Sequence, residues 1–264
     1  MTTVKAERIL KIIKTFASES AAYRAGQNIE DAIDGLIENG MPEAEAKLKG
    51  VEQFAIECAL MKVHGSEVLD YVTDEGVQIY GGMGYSADAP MDRAYRDARI
   101  NRIFEGTNEI NRLIIPAELL KMAMKGELPL LQAAQKLQAE LLEPNYDMDE
   151  SDAPLAAETR VVANLKKAAL AVAGSAAQKF GTQLAQQQEI MMRTADMIIQ
   201  AFVAESAVLR AQKIIATGKP AHLETAMAQT LVAQAAEKTA SAGREALSAF
   251  LEGDDLRMTL SAVK

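Results

Sequence analysis

The chain has 264 residues, 49% of them hydrophobic and 25% charged, with one cysteine, two histidines and no tryptophan. That apolar content excludes intrinsic disorder, and no stretch approaches the roughly 18 unbroken apolar residues of a membrane span. A formal charge of −9 leaves no basic footprint for nucleic acid and no attraction to anionic lipid.

Area scaling allows burial of roughly 73% of the unfolded surface, enough for one large domain or two ordinary ones without staples. Cys58 cannot form an internal disulfide, and the opening MTTVKAERILKIIK lacks the apolar core of a signal peptide. Both point to the cytoplasm. His64 and His222 are far apart, so no metal site is expected.

The composition is that of an all-α chain: Ala, Leu, Glu, Lys, Gln and Met dominate, and no run alternates with period two. Ile9, Ile12, Ile13, Phe16, Ala17 and Tyr23 follow helical spacing within a first helix over 4–38. Asn39-Gly40-Met41-Pro42 ends it, with Pro42 suited to the first turn of the next. That second helix is predicted to end near His64, where Gly65 interrupts and Ser66 caps a third helix reaching Tyr80. Three glycines in Gly81-Gly82-Met83-Gly84 predict irregular backbone. A charged helix follows over 91–102, then another capped by Thr107 and running to about Lys125, with Pro116 as a kink and Gly126 as terminator.

The acidic, proline-bounded segment Glu143–Pro154 reads as a linker, which divides the chain into 1–142 and 155–264. Beyond it three long Ala- and Gln-rich helices are predicted, over 155–180, 184–216 and 221–252, packed antiparallel. Met191, Met192 and Met197 read as core filling, Cys58 as a packed small hydrophobe, and His64 as a helix-end residue. Arg210, Lys213 and Lys219 are too sparse for a membrane-binding helix, so membrane association is not expected.

Three features stand out for chemistry. The GGMG segment could let backbone N–H groups approach an anion, but no strand precedes it and no Gly-Lys-Ser/Thr follows, which excludes a P-loop. Arg93, Arg96, Arg99 and Arg102 recur every three residues, with Asp92 and Asp97 in pairing range. They form either a solvated salt-bridged face or a clamp on a neighbouring subunit or the following loop. Glu105 stands between apolar Ile103-Phe104 and Gly106, ahead of a helix N-terminus. There burial would raise its pKa and helix N–H groups would lower it. Such a carboxylate is either a helix-dipole partner or a base for a carbon-bound proton, with glycine giving the substrate access.

Taken together, Gln78-Ile79-Tyr80-Gly81-Gly82-Met83-Gly84-Tyr85, Tyr95-Arg96-Asp97-Ala98-Arg99 and Ile103-Phe104-Glu105-Gly106-Thr107-Asn108-Glu109-Ile110 resemble the C-terminal helical domain of the FAD-dependent acyl-CoA dehydrogenases. The resemblance covers about residues 4–125. Thr15–Arg24, leading to Gln27, is similar to a helix of the long/very-long-chain branch, and the last helices resemble that branch's C-terminal extension in architecture.

The resemblance implies a four-helix-bundle domain followed by a helical extension. It also implies dehydrogenation of a fatty acyl-CoA to a trans-2-enoyl-CoA, with a base taking the α-proton while the β-hydrogen leaves as hydride to flavin N5. Electrons then pass to an electron-transferring flavoprotein. By position, Glu105 is the base, and its backbone N–H helps hold the thioester carbonyl, with Phe104 and Gly106 beside the substrate. Thr107, Asn108 and Glu109 are implied to line the flavin. Gln78, Ile79, Tyr80, Gly81 and Gly82 are implied to reach the FAD of a neighbouring subunit, hence a homodimer. Family members carry an N-terminal helical domain and a β-domain ahead of this region, and the sequence here starts within the third. The expectation is thus a partial, inactive chain, or alternatively a non-catalytic helical oligomerisation module.

Overall fold

The structure, a computed structural model, describes residues 2–142 and 152–263. No strand occurs among the described residues, which form an all-α chain. The expected linker therefore lies outside the described residues apart from 152–154. Two compact units divide between Asn111 and Arg112.

The first unit begins with α1 (Thr2–Glu38), α2 (Glu43–Gln53) and α3 (Ala55–Tyr80). Ile13, Phe16, Ala17 and Ala21 of α1 and Leu60 and Val63 of α3 are buried, whereas Ile9, Ile12 and Tyr23 of the same α1 spacing are exposed in this chain. Gly50 brings α2 directly onto Ile33 of α1, and Lys14 lies 4.7 Å over the ring of Tyr71. The predicted interruption at Gly65-Ser66 is absent. The chain bends instead at Phe54, and α3 runs unbroken through Gly65, Ser66 and His64. Ser66 is no cap, because its hydroxyl donates back to the carbonyl of Val63 at 3.0 Å. A lone interior glycine costs a helix only about 1 kcal/mol, which packing offsets.

α3 ends at Gly81, which has φ +61°. The following GMGY is not irregular, as predicted, but a single helical turn, α4 (Gly82–Tyr85). The Gly84 N–H donates to Gly81 O at 2.9 Å and closes it. Next comes α5 (Pro90–Arg99), with proline in its first turn. Its last turn tightens into a 3-10 turn over Ile100–Arg102, so the four arginines do not share one α-helical face. The unit closes with the first turn of α6 (Asn108–Met124), which contains Pro116 and ends at Gly126, φ +75°.

The second unit holds the remainder of α6, α7 (Leu130–Leu142), α8 (Ala156–Phe180), α9 (Gln188–Ala216), α10 (His222–Ser248) and α11 (Gly253–Leu260). Neither α7 nor α11 was predicted. Gln212 near the end of α9 donates to Pro154 O (2.9 Å) and Thr159 Oγ1 (3.3 Å) by the start of α8. Arg193 near the start of α9 pairs with Glu245 near the end of α10 at 2.9 Å. Hence α9 runs antiparallel to both, as the apolar stripes predict. Buried Ala195, Ala204, Ala207 and Ala211 let the helices approach closely, around Val172, Met197 and Leu247. Met191 and Met197 are core residues, as expected, and Met192 is half-buried.

Two further sequence expectations need correction. Cys58 is exposed rather than packed, because it stands in the first turn of α3, just past the bend at Phe54. His64 is half-buried inside α3 rather than at a helix end. Among the described residues, no helix is long and apolar enough to cross a membrane.

Candidate functional site

The segment joining the 3-10 turn to α6 carries Phe104, Glu105, Gly106 and Thr107. Ile100 O accepts from both Ile103 N (2.9 Å) and Phe104 N (3.1 Å). The chain then turns left-handed twice in succession, at Glu105 (φ +55°) and Gly106 (φ +80°). For a residue with a Cβ this conformation costs about 1–2 kcal/mol, and non-glycine cases cluster where function requires them. Nothing in the sequence pattern announced it. Thr107 is the cap expected: its Oγ1 accepts from Ile110 N at 3.3 Å. Glu109 adds a first-turn carboxylate that suits the helix dipole.

A polar row on α3 holds this segment. Lys62 Nζ donates to Gly106 O (2.6 Å) and to Asn108 Oδ1 (2.8 Å). Asn108 Nδ2 in turn donates to Ser66 Oγ (3.0 Å) and Glu67 Oε1 (3.3 Å). Arg102 pairs with Asp70 at 3.0 Å. Asn111 Nδ2 completes the enclosure, donating to Gly106 O (2.9 Å) and Thr107 O (3.1 Å). Lys62, Ser66 and Asp70 recur every four residues, a polar stripe legible in the sequence but not used there.

The predicted site residues are placed as follows. Phe104, Glu105, Gly106 and Glu109 are exposed, Thr107 is half-buried, and Asn108 is 2% exposed with its side chain turned inward onto α3. Ile103 and Phe104 are each nearly half exposed, so within this chain Glu105 does not sit in the apolar surroundings that the sequence suggested. Gln78, Tyr80, Gly81 and Gly82 are exposed and Ile79 is half-buried, at the far end of α3. Asn108 docks at Ser66, and Gly81 lies fifteen residues further along the same helix, about 20 Å away at helical rise. The two predicted cofactor-binding groups are therefore separate surfaces on one chain.

Of the arginine series, Arg93, Arg96 and Arg99 are exposed, and only Arg102 turns back to tie the loop to α3. The second unit contains an apolar pocket bordered by Leu120, Leu170, Ile198 and Phe202, with Lys166 and Glu205 among its lining residues. It includes none of the predicted site residues.

An all-helical chain with this turn at the head of α6 has the architecture of the acyl-CoA dehydrogenase C-terminal domain. Two families described as "Acyl-CoA dehydrogenase, C-terminal domain" match it, one over residues 39–120 and the other over 164–264. The chain thus carries C-terminal domains of the acyl-CoA dehydrogenase family. It is 44% identical over 258 residues to a probable acyl-CoA dehydrogenase of Bacillus subtilis, a match covering 95% of this chain and 42% of that protein. The crystal structure of an acyl-CoA dehydrogenase complexed with FAD from Bacillus anthracis superposes with a TM-score of 0.91. It is 46% identical, over 97% of this chain and 44% of that one. The human very long-chain specific acyl-CoA dehydrogenase is 38% identical over 104 residues, 39% of this chain and 13% of that protein. The chain spans less than half the length of these relatives. A bovine short-chain specific enzyme is 48% identical over 68 residues, 26% of this chain and 16% of that enzyme, so these matches do not single out one chain-length branch.

Proposed function

We propose that this chain contributes the proton-abstracting part of a flavoenzyme that dehydrogenates fatty acyl-CoA to trans-2-enoyl-CoA, with Glu105 as the base. The observation that carries this is the exposed carboxylate on a doubly left-handed turn, clamped from α3 and set at the head of α6. A strained, over-determined backbone at a carboxylate is how a protein fixes the direction of a reacting group. The Cα–H bond of the thioester breaks and its proton passes to Glu105. The β-hydrogen leaves with its electron pair, and the Cα–Cβ double bond forms. Gly106 leaves the approach to the carboxylate open, and the Glu105 backbone N–H is proposed to donate to the thioester oxygen as that oxygen gains charge.

FAD is the cofactor of this reading, and its chemistry when bound is to accept the β-hydride. The relative complexed with FAD supports it. The surfaces available also fit: Gly81 and Gly82 have open space on the side a Cβ would occupy, beside exposed Gln78 and Tyr80. Thr107 and Glu109 stand at a helix N-terminus, which suits phosphate oxygens. Ile79 would pack against the cofactor. Asn108 would act through its backbone, since its side chain is bonded to Lys62, Ser66 and Glu67.

The roughly 20 Å between the two surfaces supports a homodimer in which 78–82 of one copy serves the flavin of the other. Exposed Tyr80, Met83 and Tyr85, the last 87% accessible, support burial of that end of α3 in an assembly. An electron-transferring flavoprotein is the proposed acceptor. The matches at 39–120 and 164–264 support a domain boundary near 143–154. The single cysteine supports a cytoplasmic location.

The test is Glu105→Gln in the FAD-loaded enzyme, mixed with butyryl-CoA or palmitoyl-CoA while flavin absorbance is followed. Reduction at least about a thousandfold slower is expected on loss of the base. Reduction at the wild-type rate would defeat the assignment.

A further inference from the structure

We propose that Lys62 is a positioning residue for Glu105, acting through the Gly106 peptide; this rests on the reading of Glu105 as the base. The Gly106 carbonyl accepts two hydrogen bonds, from Lys62 Nζ at 2.6 Å and from Asn111 Nδ2 at 2.9 Å. A carbonyl has two lone pairs, and both are occupied. Escape of two successive left-handed residues requires the peptides that flank them to rotate, and rotation of the 106–107 peptide, which follows the second, breaks both bonds. The lysine bond is charge-assisted, hence the stronger of the two. It comes from α3, a rigid helix, whereas Asn111 belongs to the same segment as the turn it stabilises.

The second acceptor of the ammonium is itself immobilised. Asn108 is buried, and its Nδ2 donates to Ser66 and Glu67 one turn further along α3. Lys62, itself half-buried on α3, therefore spans two fixed points. A lysine that merely solvated the surface would not converge on a carbonyl and a buried amide whose other atoms are already bonded. The consequence is directional: the Glu105 Cα, and with it the arc its carboxylate can sweep, is set from α3 rather than from α6 alone. Displacement of a catalytic group by about 1 Å can lower a rate by as much as 10²-fold.

The experiment compares Lys62→Met, which keeps the stem but no donor, with Lys62→Arg, which keeps charge and donors. Amide hydrogen exchange is read over residues 104–111 in the chain without FAD. Flavin reduction by butyryl-CoA and palmitoyl-CoA is read by stopped flow in the FAD-loaded enzyme. In Lys62→Met, exchange at Ile110 and Asn111, whose N–H groups donate to Thr107, is expected to rise about tenfold or more, with the amides of α9 unchanged. The saturating reduction rate is expected to fall about tenfold or more, while the acyl-CoA concentration for half-saturation moves less than about threefold. Lys62→Arg is expected to recover most of both. If Lys62→Met does not fold, Lys62→Gln, which retains an uncharged donor, carries the same comparison.

Wild-type exchange at Ile110 and Asn111 in Lys62→Met would overturn the proposal, as would a rate loss seen equally in Lys62→Arg. Glu105→Gln run in parallel separates the two claims. If it reduces flavin normally, the base assignment falls, and exchange alone then decides whether Lys62 holds the turn. If it abolishes reduction while Lys62→Met behaves as wild type in both readouts, the positioning role falls alone.

Discussion

Asn111 Nδ2 sits 2.9 Å from the Gly106 carbonyl oxygen and 3.1 Å from where a Cβ on Gly106 would stand. The same amide that locks the turn thus crowds any side chain placed there. With φ at +80°, Gly106→Ala meets a backbone penalty of about 1–2 kcal/mol as well as this contact. Amide exchange over 105–111 is expected to accelerate by roughly 5- to 30-fold, the factor that such an energy represents. Unchanged exchange would mean that the turn tolerates a Cβ and is not held as described.

The GGMG segment separates into two kinds of glycine. A Cβ on Gly84 would lie 2.5 Å from the Val77 carbonyl oxygen and 2.9 Å from Tyr80 Cβ, whereas one on Gly82 meets nothing within 4 Å. Backbone cannot yield as a flexible side chain can, so Gly84→Ala is expected to destabilise by about 1–3 kcal/mol. Gly82→Ala should be near neutral or slightly stabilising. Urea unfolding of the two variants side by side measures the difference. Equal midpoints would show that the α3–α4 corner is not packed through Gly84.

The same corner shows why part of the fold was legible and part was not. Composition and apolar spacing were enough for an all-α chain and for α1, α8, α9 and α10, because long amphipathic stripes leave one way to bury them. Gly65-Ser66 and Gly81–Gly84 were misread for a shared reason. Local propensity marks glycine as a break, but tertiary contact decides whether the break is used. Ser66 bonds back to Val63 and receives Asn108, and Gly84 folds tightly against Val77. At the candidate site, the Thr107 cap was legible. The left-handed φ of Glu105 was not, since nothing in IFEGTN distinguishes it from an ordinary helix entrance. The partners Lys62, Glu67 and Asn111 were also missed; Lys62 and Glu67 lie more than 35 residues from the loop in sequence.

In the second unit Arg112 Nε donates to Asp196 Oδ1 at 2.7 Å, with side chains 15% and 28% accessible. Asp196 also lies 3.9 Å from Arg193, which reaches Glu245. Partial burial makes this pair stronger than an exposed one and leaves a desolvated guanidinium when the carboxylate is removed. Asp196→Ala is expected to cost about 1–3 kcal/mol. A double-mutant cycle with Arg112→Met should return a coupling of about 1–2 kcal/mol. Strict additivity in denaturant unfolding would show that the two side chains act independently.

Cys58 offers a test by pH. Partial desolvation, and after it the Glu57 carboxylate, push the thiol up from its ordinary range, since both disfavour the negative thiolate. A raised thiol pKa means less thiolate at neutral pH, and the thiolate is the nucleophile. Although Cys58 is exposed, its alkylation by iodoacetamide at pH 7 should be slower than that of a free cysteine measured in parallel. The midpoint of its rate-against-pH curve should lie above that of the free amino acid. Glu57→Gln removes one cause and should move that midpoint part of the way back down, because desolvation remains. A midpoint below that of free cysteine would contradict the dominance of desolvation and the Glu57 carboxylate at this sulfur.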